Sequence, residues 1–123
     1  MDSELRWENN AHTVIRLSFR GDWNWTDFYA AIEQPDLANQ DVTICLIVDL
    51  RAVNRIPSDA VLHLKRAAQL IEQVKGAVIL IATSNAALTT YQLMITVYKP
   101  LAGKIQLVST DQEAYALLQM PAP

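Results

Sequence analysis

Cysteine is almost missing from this chain. The single Cys45 excludes an internal disulfide framework and any zinc site built from thiolates. Glycine is scarce too. Three glycines in 123 residues leave no glycine-rich loop to cradle a phosphate, no Gly-x-Ser-x-Gly elbow and no collagen-like period. Only two histidines are present, His12 and His63. Neither has a companion at metal-ligand spacing, so no metal and no other cofactor is expected. Positive charge is in the minority, with 10 Lys and Arg against 13 Asp and Glu and a net charge of -3. That balance speaks against a grip on nucleic acid, which needs a basic patch or stripe. An apolar leader is absent as well: Met1 to Asn10 mix charge and polarity, and a cytoplasmic protein is expected. The longest uncharged stretch, Gly76 to Tyr98, has the length of a membrane span. Thr83, Ser84 and Asn85 interrupt it, and Thr89, Thr90, Gln92 and Thr96 follow. A strand, a cap and a helix are expected there, and no membrane association.

What the chain has in quantity is apolar side chains, at 51% hydrophobic against 19% charged. That composition excludes disorder, and the length fits one domain over residues 1–123 with one sizeable core. Glu4 to Glu8 alternates, with Leu5 and Trp7 one way and charges the other, and predicts a short exposed strand. Asn9-Asn10-Ala11-His12 predicts a hairpin connection in which asparagine takes positive φ. Thr13 to Arg20 alternates again, with Val14 opposed to Ile15, Leu17 and Phe19. Trp25 to Asn39 predicts a helix with Trp25, Phe28, Ala31 and Ile32 on its apolar face and a break near Pro35. Val42 to Leu50 and Val78 to Ala82 are β-branched and nearly continuously apolar, and Ile105 to Val108 is a weaker run of the same kind. Such runs suit strands covered on both faces.

Helical patterns separate them. Ser58 and Asp59 precede Val61, Leu64, Ala68 and Ile71, which recur at helical spacing until Gly76. Ser84 or Asn85 is placed to cap a helix with the stripe Leu88, Tyr91, Ile95 and Tyr98. Thr110 and Glu113 have capping-box spacing before Ala114, Leu117 and Leu118. The order is β-β-α-β-α-β-α-β-α. This predicts an α/β domain with a mixed, mainly parallel sheet, in which the first strand lies at an edge antiparallel to the second.

That order resembles the STAS domain, named for sulfate transporters and anti-sigma-factor antagonists. One segment carries the likeness further. Many STAS domains have a strand ending in Asp-Leu-Ser, a short loop, and Ile-Asp-Ser-(Ser/Ala)-Gly-Leu opening a helix. Here Asp49, Leu50, Val53, Ile56 and Ser58 match by type and spacing. Pro57 stands where the family usually has Asp, and Ala60 where it usually has Gly. The chain is also similar to small bacterial proteins grouped loosely as STAS or Sec14-like lipid carriers, several with tryptophan-rich text such as Gly21-Asp22-Trp23-Asn24-Trp25. The resemblance to anti-sigma-factor antagonists implies a regulatory, non-catalytic interaction module. Its protein partner would be an anti-sigma-factor kinase, and a phosphorylated serine at position 58 would act as a switch.

The residues themselves leave two readings of Ser58 open. A phosphate there would meet a helix N-terminus, with Arg51 and Arg55 in the same loop to pair with it. Equally, Ser58 suits a plain N-cap. Asp49, at the end of a buried strand, is expected to bond the backbone that follows it. Cys45 is expected as a small core residue. Core or edge packing is expected of Trp7, Trp23 and Trp25. Leu62 falls among Lys65, Arg66 and Gln69 on a polar face, which marks it as an exposed apolar anchor; with Arg51, Arg55 and Asp59 it makes up the candidate partner-binding set. Leu93 and Val97 flank the main stripe of the uncharged helix and are the candidate contacts of a homodimer. The absence of a nucleophile-and-base constellation speaks against an enzyme. The alternative is a carrier of a small apolar ligand held between a helix and the sheet.

Overall fold

A computed structural model describes residues 3–21, 24–33, 43–53 and 59–119. Five strands and four α-helices are present among them. Strand β1 (Ser3–Trp7) and strand β2 (Val14–Gly21) form an antiparallel hairpin. Helix α1 (Trp25–Glu33), strand β3 (Cys45–Val53), helix α2 (Ala60–Glu72), strand β4 (Val78–Ile81), helix α3 (Asn85–Val97), a 3-10 turn η1 (Lys99–Gly103), strand β5 (Ile105–Val108) and helix α4 (Asp111–Leu118) follow. The expected order is the observed one, with the 3-10 turn added after α3.

The sheet runs β1-β2-β3-β4-β5, and every pair after the first is parallel. Each crossover moves one strand in the same direction. Right-handed crossovers of that kind put all their helices on one face. The two cores agree. Ile15, Leu17, Phe19, Leu46, Val48, Val78 and Leu80 pack with α1, α2 and α3. Val14, Ile47, Ile79, Ile81 and Val108 pack with α4 on the opposite face. A sheet that never reverses its order has no topological switch point, the place where open α/β sheets bind ligands at the strand ends.

Local chemistry explains the boundaries. Ser84 caps α3, accepting from the Ala87 amide at 3.1 Å. Thr110 accepts from the Glu113 amide at 3.1 Å, while the Glu113 carboxylate accepts from the Ser109 amide at 3.2 Å. The predicted caps of α3 and α4 therefore form. Three expectations are corrected. Positive φ in the hairpin falls on His12 (φ 56°), whose ring stacks on Trp7 at 4.6 Å, and not on an asparagine. Asn9 instead accepts from the Thr13 and Val14 amides through its side chain, which leaves the αL position to His12. Strand β3 starts at Cys45 and runs on to Val53, beyond Leu50, because β2 continues beside it to Gly21. Cys45, its first residue, is half-buried against the α4-side core, not enclosed. Val42, Trp23, and positions 34–39 of the expected first helix lie outside the described residues.

Candidate functional site

Three features carry the chemistry. The first surrounds Arg16, which is only 3% exposed. Its place follows from strand register. Arg16 lies opposite Ile47 on β3, so Asp49 is its diagonal neighbour on the same face. Glu8, whose amide donates to the Val14 carbonyl just past the end of β1, is the diagonal neighbour on the other side. Arg16 accordingly bridges two carboxylates, with Nη2 2.7 Å from Glu8 Oε1 and Nη1 2.9 Å from Asp49 Oδ2. Asp111, the first residue of α4, approaches Nη2 at 3.0 Å. The Tyr115 hydroxyl donates to Glu8 Oε1 at 3.1 Å.

Arg51 completes the network. It forks onto Asp49, with Nε donating to Oδ1 at 3.0 Å and Nη2 to Oδ2 at 2.8 Å, and Nη2 also reaches Asp111 Oδ1 at 2.7 Å. Asp49 accepts from the Arg51 amide as well, at 3.0 Å, the backbone bond expected of it. Burial alone would push the Asp49 carboxyl up. The hydrogen bonds from Arg51 and the charges of Arg51 and Arg16 outweigh that and hold it below its ordinary value. Arg16 moves upward: burial opposes its charge, and the Glu8 and Asp111 carboxylates more than offset this. Both arginines thus stay charged. A carboxylate bound on two sides by guanidinium groups is a poor base, and the cluster acts as a clamp joining the hairpin, β3 and the start of α4.

The second feature lies on the opposite face of the sheet, where α1 meets α2. Asp59 stands at the N-cap position of α2, with no side-chain cap bond. Leu62, in the first turn, is 83% exposed. His63 follows. Its Nδ1 is 2.7 Å from the Tyr29 hydroxyl and its Nε2 is 3.5 Å from Asp59 Oδ2, an arrangement that suits a proton on Nε2 and a hydroxyl donating to Nδ1. The ring stacks on Trp25 at 5.0 Å, and the Arg66 guanidinium lies 4.3 Å over Tyr29. His63 does have an acidic companion one turn away, contrary to expectation. The Asp59-His63 spacing (i, i+4) was the available signal.

The third feature is a pocket of about 50 Å³ lined by the sheet and helices α1, α2 and α3, with walls almost entirely of carbon. Phe19, Trp25 and Phe28 line it together with Tyr91 and Met94 of α3.

No family model matches the chain, and no curated protein matches it in sequence. The fold does find a match among solved structures. The anti-sigma factor antagonist SpoIIAA in its unphosphorylated form superposes with a TM-score of 0.65, over 98% of this chain and 99% of that one, at 12% identity. The chain has the STAS fold. At that identity the likeness concerns the fold and carries no residue roles.

On this STAS scaffold the expected site residues separate. Ser58 and Arg55 lie outside the described residues. Arg51 belongs to β3 and not to a loop, and its guanidinium is held on the α4 face. Asp59 and Leu62 sit on α2, across the sheet from it. Leu93 and Val97 are 45% and 52% exposed on α3. Glu8, Arg16, Asp111 and Tyr115 escaped sequence reasoning. The alternation from Glu4 to Glu8 predicts a solvent-facing Glu8, yet its side chain is only 6% exposed. The available signal was Arg16 itself, a charge at an inward position between Val14 and Phe19. Among the described residues no cluster of His, Cys, Asp and Glu is arranged to hold a metal, and no helix is long and apolar enough to cross a membrane.

Proposed function

We propose that this domain is a regulatory protein-interaction module that docks through the segment after Asp49 and the first turns of α2, without catalysis of its own. The observation that carries the reading is Leu62, an aliphatic side chain standing 83% exposed beside Asp59. A leucine held outward on a well-packed helix is a ready anchor for a partner's pocket. The SpoIIAA-like fold supports a partner of the anti-sigma-factor kinase type. Asp59 stands at the N-cap position one turn before the anchor; Arg51 and Arg55 are the further candidate contacts of the segment after Asp49, and Ser58 is the modification candidate. A second copy of the chain is a further partner, through Leu93 and Val97 of α3.

Affinity purification from cells of the source organism tests the reading. A kinase-like anti-sigma factor should be retained by the native protein and lost with Leu62→Asp or Ser58→Asp. Equal retention by all three proteins sinks the docking surface and the switch together.

The apolar cavity favours a second reading, in which the domain holds a small apolar ligand between the helices and the sheet.

A further inference from the structure

We propose that His63 is a proton-controlled joint between α1 and α2, which resets the charge beside Leu62 as the pH falls. This rests on the docking reading and adds its regulation. The joint is three side chains in a row. The Tyr29 hydroxyl lies 2.7 Å from His63 Nδ1, and His63 Nε2 lies 3.5 Å from Asp59 Oδ2. Burial raises Tyr29 above its ordinary value; the nearby Arg66 opposes this and the Asp59 charge adds to it. The hydroxyl therefore keeps its proton and donates it. An imidazole that accepts at Nδ1 carries its own proton on Nε2 and is neutral.

A proton taken up at Nδ1 changes both ends of the row. The imidazolium is a donor at both nitrogens. Nδ1 now donates to the Tyr29 oxygen, and the hydroxyl turns its own proton away. Nε2 becomes half of an ion pair with Asp59, one helical turn back. The stack on Trp25, at 5.0 Å and 15°, holds the plane of the ring through the change. Histidine is the side chain that makes this change between pH 5 and 8. Two further charges stand close by among the described residues. Arg66 on α2 lies 4.3 Å over Tyr29 and opposes a second positive charge, and Glu33 on α1, 4.0 Å from Arg66, partly offsets it. The surface consequence follows from the order of residues along α2. Leu62 has Asp59 one turn before it and the exposed Lys65 and Arg66 one turn after. With His63 neutral, the rim of this anchor carries both signs. With His63 charged, Asp59 is cancelled and the rim turns positive, which favours an acidic partner surface.

The test is an NMR pH titration of the full chain, labelled at the histidine and tyrosine rings and the aspartate carboxyls. Above the His63 midpoint the ring nitrogens should report the Nε2–H tautomer. Tyr29→Phe removes the bond that the neutral form holds and should raise the midpoint by roughly 0.4–1.1 pH unit. Asp59→Asn removes the partner of the charged form and should lower it by roughly 0.2–0.4 pH unit. In His63→Gln, the Tyr29 and Asp59 signals should lose their step at that midpoint. A midpoint unmoved in both partner variants overturns the joint, and so does an Nδ1–H tautomer. Steps at Tyr29 and Asp59 that persist in His63→Gln overturn it as well. If the midpoints move as expected while no protein partner is captured, the docking reading falls and the joint stands.

Discussion

Arg16 shows how much one side chain can hold. Its guanidinium is the only bridge between Glu8 and Asp49 given by the described contacts, and both carboxylates are largely shielded from water. Removing one partner of a buried pair leaves an uncompensated charge, at a cost of about 3–5 kcal/mol. Arg16→Met should lower stability by that order in urea melts. Adding Glu8→Gln to it should restore part of the loss, because without Arg16 the shielded Glu8 keeps, among the described residues, only the exposed Arg6 at 3.3 Å as an ionic partner, while Asp49 keeps its fork from Arg51. An equal loss in the single and double variants would mean the clamp's electrostatics do not matter. Asp49 also fixes a pH dependence. Its folded carboxyl lies below its ordinary value, so the group contributes stability fully above the unfolded value of about 4 and loses it as the pH falls through the folded value. Urea melts across that acid range should show a shallower fall for Asp49→Asn than for the native chain. Identical slopes would exclude Asp49 as a source of acid lability.

Elements were far more legible than sites. Val78 to Ile81 and the start of α3 could be read directly, because an unbroken apolar run and a serine cap are local signals. The apolar alternation of β2 was legible too, with Val14 on one face and Ile15, Leu17 and Phe19 on the other. The charge network was not. Glu8, Arg16, Asp49 and Asp111 meet only after two strand registers and the α4 docking position are fixed, and no local pattern encodes those. The α2-to-β4 connection is a similar case. Gly76 donates its amide to the Ile44 carbonyl at 3.2 Å, and a Cβ there would meet Ile44 C at 2.7 Å and Cys45 N at 2.9 Å. Sequence suggested a glycine ending a helix; the structure shows a backbone crossing that leaves no space for a side chain. Gly76→Ala should therefore destabilise by about 1–3 kcal/mol, the cost of forcing extra volume into a packed site, and not stabilise as an ordinary loop substitution does. A thermal melt decides the sign. At α4, Thr110→Ala should cost about 1 kcal/mol through the lost cap.

At the scale of the molecule, α2 lies between α1 and α3 on its face of the sheet, and α3 flanks it on the β5 side. Ala87 is its buried residue, while Leu88, Tyr91, Met94 and Ile95 are half-buried and Leu93 and Val97 face outward. From Gly76 to Tyr98 there is no charge to make that surface repel a copy of itself. Exposed aliphatic pairs one helical turn apart are what a two-fold contact buries, since each helix presents the same pair to the other. The exposure of Leu93 and Val97 settles how a charged replacement should behave in a single chain. At 45% and 52% exposed, lysine at these positions keeps its ammonium in water and the domain should fold normally. The double variant Leu93→Lys, Val97→Lys is thus expected to melt within about 1 kcal/mol of the native chain and to be monomeric by light scattering, while the native chain is dimeric. Across a two-fold axis the four lysines would face one another, and like charges so placed oppose association. A native chain that stays monomeric at high concentration removes the dimer. A variant that remains dimeric moves the contact away from α3, with the open edge of β5 beside the half-exposed Leu107 as the next surface to test.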